Sequence, residues 1–172
     1  MTRRSEAVIK AGGPTGAIHT VQVGVISDTH GLMRPEALSA LAGVQHLIHA
    51  GDVGGAEVLE HLGMLAPVTA VRGNNDHGDW ALELPETTTF ELAGLRLHLL
   101  HNLAELAVDP IAEDIGVVIA GHSHRPVVRE SDGVLYLNPG SAGPRRFRLP
   151  VSVARLEITR GTVQARLIEL EV

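Results

Sequence analysis

Five short apolar runs of strand type in this chain each end on a residue that can hold a cation or a polar ligand. Residues 21–27 end in Asp28, 44–50 run through Gly51 into Asp52, and 68–71 lead to Gly73-Asn74. Residues 95–100 end in His101, and 117–120 run through Gly121 into His122. Successive gaps are 24, 22, 27 and 21 residues, each about one strand plus its connection. Helical spacing starts at Pro35, with Leu38, Leu41 and Ala42 on one face, and returns over 56–62. The second half reads as hairpins, 87–91 with 95–100, 127–129 with 134–137, and 151–158 with 163–172, plus a helical stretch over about 103–113. A βαβ front half meeting a β-rich back half predicts an α/β fold with mixed sheets, two of them packed together with helices outside. Ligands in open α/β sheets bind off the carboxyl ends of strands, so the five terminal side chains are expected to converge.

One Asp after a strand is commonly a turn or cap residue. Five strands ending this way in order are not explained by turn chemistry. The set holds carboxylates, imidazoles and one amide but no cysteine, a mixture that suits borderline divalent cations such as manganese, iron, zinc or nickel. Asp28-Thr29-His30 and His122-Ser123-His124 have i, i+2 spacing, which aims two side chains the same way from extended backbone. The seven donors Asp28, His30, Asp52, Asn74, His101, His122 and His124 are too many for one zinc ion and enough for two ions if one carboxylate bridges.

Composition narrows the partners. The 172-residue chain is 44% hydrophobic with a formal charge of -6, which argues against extended nucleic-acid contact. Its four aromatic residues, Trp80, Phe90, Tyr136 and Phe147, make no base-stacking platform. No apolar run approaches the roughly 20 residues needed to cross a bilayer, so no membrane role is expected. The absence of cysteine excludes disulfides, zinc–cysteine sites and thiol catalysis. Residues 1–20 read as a flexible, Gly-rich leader, 21–172 as a single domain, and the address as cytoplasmic.

The series Asp28-Thr29-His30, Gly51-Asp52, Gly73-Asn74-Asn75-Asp76, His101 and Gly121-His122-Ser123-His124 resembles the calcineurin-like metallophosphoesterase superfamily. The closing Asn138-Pro139-Gly140-Ser141 is similar to its small bacterial and archaeal phosphodiesterase branch. The resemblance implies a four-layer α-β-β-α sandwich, two mixed sheets flanked by helices. It implies that Asp28, His30 and His124 hold a first divalent ion, that Asn74, His101 and His122 hold a second, and that Asp52 bridges them, with manganese favoured. Two ions roughly 3.5–4 Å apart would acidify a bridging water for in-line attack on a small phosphodiester. Asp52, Asn74, His101 and Asn75 are then the catalytic set.

Several residues depart from that pattern or lie beside it. Asn75 stands where many relatives carry a phosphate-orienting His, which weakens general-acid help and predicts a preference for diesters or aryl esters with good leaving groups. His77 is the alternative imidazole, with a solvated loop histidine as the plainer reading. Asn102 replaces a usual glycine and puts the local loop shape in question. Arg145, after the Asn-Pro-Gly-Ser loop, is a candidate phosphate grip with Asn75. His49 reads as a satisfied core histidine, Asp76 as an orienting residue, and Asn138 and Ser141 as loop-shaping. The competing functions are a phosphomonoesterase or nucleotide phosphatase, a nuclease, and a non-catalytic protein-interaction scaffold of the same fold. Homo-oligomerisation stays open.

Overall fold

Alternation of apolar side chains along the strands decides which faces meet in the computed structural model, which describes residues 6–10 and 20–172. The first sheet comprises β1 (Glu6–Lys10), β2 (Thr20–Ile26), β3 (His46–His49), β4 (Val68–Ala70), β10 (Ser152–Thr159) and β11 (Thr162–Glu169), in the order β1-β11-β10-β2-β3-β4. The second comprises β5 (Thr87–Leu92), β6 (Leu95–Leu100), β7 (Val117–Ile119), β8 (Val127–Ser131) and β9 (Val134–Asn138), in the order β5-β6-β7-β9-β8. Both sheets are mixed. β2, β3 and β4 run parallel, as do β6, β7 and β9, while the hairpin partners are antiparallel.

The inward residues Val23, Val25 and Ile48 of the first sheet pack with Leu97, Leu99, Val117, Ile119 and Leu135 of the second. The outward face of the first sheet carries Ile26 and Leu47 against α1 (Pro35–Leu41) and α2 (Ala56–Gly63), whose buried residues are Ala37, Leu41, Val58 and Leu62. Each helix fills a crossover between parallel strands, so β2, β3 and β4 present adjacent carboxyl ends on one rim. β6 and β7 do the same in the second sheet. The expected α/β class with two mixed sheets and flanking helices is the architecture found.

Two expectations change. The segment read as helical over 103–113 forms only a single 3-10 turn, Leu103–Glu105, followed by turns. Pro110 is the physical reason: it lacks an N–H and disfavours helical backbone at Asp109, whose Oδ1 instead accepts the N–H groups of Ile111 and Ala112. The outer face of the second sheet is therefore covered by irregular chain, with Leu106 and Val108 lying against Leu100, Val118 and Val134. The second change concerns the leader. Glu6–Lys10 form β1, which pairs antiparallel with β11 and adds a strand to that edge of the first sheet. Residues 1–5 and 11–19 of the expected leader lie outside the described residues. A third helix, α3 (Asp79–Leu82), is a single turn that periodicity could not resolve.

Candidate metal centre

The chain leaves each strand end by a sharp turn, and that turn determines where the polar side chains point. Asp28, His30, Asp52, His122 and His124 all have φ between 48° and 66°, in the left-handed region. Such backbone costs L-residues of order 1–3 kcal/mol and persists where the surroundings over-determine it. Here loop-to-loop hydrogen bonds do so: Asp28 N–H donates to Gly51 O, His30 N–H to Asp52 O and Gly31 N–H to Val53 O, at 2.8–3.0 Å. Asp76 completes the clamp, accepting the N–H groups of Val53, Gly54 and Gly73 at 2.8–3.1 Å. It orients the loops that carry Asp52 and Asn74, the part expected of it.

The carboxylate of Asp28 is fully buried. Its Oδ2 accepts the Ser27 hydroxyl at 2.5 Å and the His122 N–H at 3.1 Å, leaving Oδ1 only 3.2 Å from His124 Nε2. Asp52 is held by Asn75, whose N–H donates to Oδ1 at 2.9 Å and whose side-chain amide donates to Oδ2 at 2.8 Å. Asp52 Oδ2 then lies 3.4 Å from His101 Nε2 and 3.9 Å from His30 Nε2. His101 Nδ1 donates to Ala50 O at 2.7 Å, so its Nε2 carries the free lone pair. Asn74 Oδ1 meets His122 Nδ1 at 3.1 Å, and the His122 ring stands edge-on to His101. Donor atoms of Asp28, His30 and His124 fall within 4.8 Å of one another, as do those of Asp28, Asp52 and His101. Asn74 and His122 are exposed and form the solvent side of the group.

These residues fit divalent cations. Among the described residues, the buried side-chain polar atoms without a hydrogen-bond partner are Asp28 Oδ1, His30 Nε2, His101 Nε2 and His124 Nδ1. All four belong to the seven expected donors, and an unsatisfied buried polar group costs about 1–3 kcal/mol. Lone pairs facing lone pairs call for a cation, and carboxylate with imidazole suits a borderline divalent metal. A trade-off follows for Asp28→Asn. Its carbonyl can keep the Ser27 and His122 donors while its amide donates toward His124. Thermal unfolding of the metal-free variant is expected about 2–8 °C above wild type, with the rise that manganese gives wild type abolished. An unchanged manganese response would contradict the assignment.

Burial pushes the Asp52 carboxyl up, but the nearby His101 imidazole and the hydrogen bonds from Asn75 outweigh it and hold it well below the usual carboxylate range. Burial likewise depresses His101, yet its contacts with Asp52 and the Ala50 carbonyl dominate and raise it. His49 is different. It is fully buried, accepts the Gly51 N–H on Nδ1, and so donates from Nε2 to Thr29 Oγ1 at 2.9 Å. Burial lowers it to about 4. A base depressed on folding stabilises the protein above its unfolded value near 6.5, and that contribution is lost as pH falls toward 4. The loss is roughly 3 kcal/mol across that window. His49→Gln, which has no proton to gain, should show a shallower decline in urea-unfolding stability of the metal-free protein from pH 6.5 to 4. A decline as steep as wild type would assign the acid sensitivity elsewhere. His49 is thus the satisfied core histidine expected, and it also ties Thr29 to Gly51 between the donors.

The remaining candidates separate. Asn75 is turned onto Asp52 rather than left free. His77 is exposed. Asn102 caps the 3-10 turn, accepting the Ala104 N–H. Asn138 donates to Gly121 O, and Ser141 donates to Asp28 O, so both shape the loops under the donors. Arg145 is exposed and reaches the Val172 carbonyl at 3.4 Å. Burial is the main cause that lowers the His30 imidazole; Asp52 and Asp28 act to raise it, and Arg146 adds a smaller lowering effect. Ser27, which fixes the Asp28 rotamer, had no sequence signal beyond adjacency. A cavity of about 440 Å³ opens beside Asn74, His101 and His122, with the Arg72–Glu86 ion pair in its wall.

Residues 21–161 match the calcineurin-like phosphoesterase superfamily domain. The chain is 35% identical over 158 residues to a probable metallophosphoesterase of Methanothermobacter thermautotrophicus, covering 85% of this chain and 91% of that protein. It is 30% identical over 141 residues to a phosphodiesterase of Methanocaldococcus jannaschii, covering 70% of this chain and 83% of that one. The structure of Vps29 from Entamoeba histolytica complexed with zinc superposes with a TM-score of 0.65 at 26% identity, over 87% of this chain and 99% of that one.

Proposed function

The chain belongs to the calcineurin-like phosphoesterase superfamily, and from that premise we propose that it is a metal-dependent phosphodiesterase acting on small diesters. The observation that carries the reading is the convergence of four unpaired buried donor atoms on one strand rim. In this reading Asp28, His30 and His124 would hold one divalent ion, Asn74, His101 and His122 would hold a second, and Asp52 would serve both. Divalent ions bound there would supply positive charge to offset a phosphate diester and Lewis acidity toward water. Manganese is the proposed metal, with iron, zinc and nickel sharing the donor preference. The likeness to a zinc complex of Vps29 supports metal capacity in this fold.

The rest of the machinery is the chain's own. Asn75 holds both oxygens of Asp52 in register. Ser27 and the His122 N–H fix Asp28 so that one oxygen faces His124. Arg145 is proposed to meet the phosphate, with its neighbour Arg146, whose positive charge acts on His30, in support. Residue 75 is Asn rather than His, and its amide is committed to Asp52, so the side chain directly after Asn74 does not protonate a leaving group. Metal-loaded protein is therefore expected to hydrolyse bis(4-nitrophenyl) phosphate at least about 100-fold faster than glycerol 2-phosphate, since general-acid help is worth about 10²–10⁴-fold. Faster turnover of the alkyl monoester would favour the phosphomonoesterase reading. A cytoplasmic address is part of the proposal, and no helix among the described residues is long and apolar enough to cross a membrane.

A further inference from the structure

A second cavity, of about 240 Å³, opens on the other side of His122. Its wall is mostly apolar, built from Leu103, Val118, Ala120, Val127 and Tyr136, with Arg129 at one edge. It lies against Val118 of β7, Val127 and Arg129 of β8 and Tyr136 of β9, on the side of the second sheet where irregular chain takes the place of the expected helix. His122 and Asn102 border both this cavity and the larger one beside Asn74 and His101. A phosphate held against the donors thus has one ester arm within reach of an apolar recess.

The far edge of the recess is polar in a specific way. The Arg129 guanidinium stacks 4.4 Å over the centroid of the Tyr136 ring. Among the described residues the arginine–carboxylate ion pairs are Arg72–Glu86 and Arg96–Glu113, and Arg129 takes part in neither. The volume falls short of the roughly 300–1,000 Å³ that whole small-molecule ligands occupy and suits a single ring.

We propose that this recess seats the aromatic ring on the ester arm that is not cleaved, with a hydrogen-bond acceptor on the ring edge facing Arg129. The proposal rests on the phosphodiesterase reading and adds a substrate class to it: phosphodiesters whose retained ester arm carries an aromatic ring, such as a nitrophenyl group or a base. Val127 is 39% exposed on an edge strand, so Val127→Trp can fill the recess without disturbing the sheet core. Arg129→Met keeps the packing over Tyr136 and removes the donors.

The test compares wild type with both variants on bis(4-nitrophenyl) phosphate and methyl 4-nitrophenyl phosphate, and measures binding of phenylphosphonate and methylphosphonate by calorimetry. Val127→Trp is expected to lower kcat/KM for the bis-aryl diester about 10-fold, through KM, while the methyl ester stays within about twofold. Arg129→Met should change the same substrate in the same direction. Wild type should bind phenylphosphonate about 10-fold tighter than methylphosphonate, and Val127→Trp should erase the difference. Diester hydrolysis with both substrates equally affected by Val127→Trp, or neither, would overturn the recess as a ring site while leaving the phosphodiesterase reading intact. A phenyl preference that is lost in Val127→Trp, in a protein that cleaves no diester, would support the ring site and overturn the catalytic reading.

Discussion

Gly73→Ala is expected to unfold about 6–12 °C below wild type and to lose the stabilisation that divalent metal confers. Gly73 follows β4 and lies directly against the Asp52 loop: a β-carbon there would sit 2.2 Å from Asp52 Oδ1 and 2.3 Å from its backbone nitrogen. Neither atom is the far end of a flexible chain. Asp52 Oδ1 is already held by the Asn75 N–H, and Asp76 ties Gly73 to Val53 and Gly54. One methyl group must therefore move two clamped loops together, an overpacking cost of about 3 kcal/mol. The matched control is Gly63→Ala at the end of α2, where nothing lies within 4 Å. There the added methyl should raise stability by about 0.5–1 kcal/mol, because it lowers the entropy of the unfolded chain. Thermal unfolding of the two variants, with and without manganese, checks both. Equal midpoints for Gly73→Ala and wild type would contradict the packing described.

The strand ends were legible because their signal is local: a few β-type apolar residues followed by a polar one, repeated five times. That pattern locates Asp28, Asp52, Asn74, His101 and His122 on strand ends and, with strand-parallel topology, on one rim. The left-handed backbone at Asp28, His30, Asp52, His122 and His124 leaves no such trace, since it is imposed by hydrogen bonds between loops about 20 or more residues apart. The i, i+2 spacing was right about convergence and wrong about its origin in extended backbone. Over 103–113 the apolar spacing was locally helical, but one proline with an Asp before it outweighed it. β1 was missed because pairing with β11 spans more than 150 residues, and edge pairing depends on a neighbour the local pattern does not contain.

The central claim, that the strand-rim donors form a metal centre that hydrolyses phosphodiesters, meets its most direct test at Asp52. Both carboxylate oxygens of Asp52 accept from Asn75, one from the backbone and one from the side chain. An amide in its place must turn an NH2 group toward one of those donors whichever way it flips, and it removes the negative charge that lies 3.4 Å from His101 and 3.9 Å from His30. The change is isosteric, so the fold persists and circular dichroism should match wild type. The decisive measurement is hydrolysis of bis(4-nitrophenyl) phosphate by wild type and Asp52→Asn, each reconstituted in turn with manganese, iron, zinc and nickel. Activity in wild type that falls at least about 10³-fold in Asp52→Asn is the predicted result. Equal activity in the two proteins, or none in either with any of these ions, would contradict it and favour a protein-interaction scaffold of the same fold.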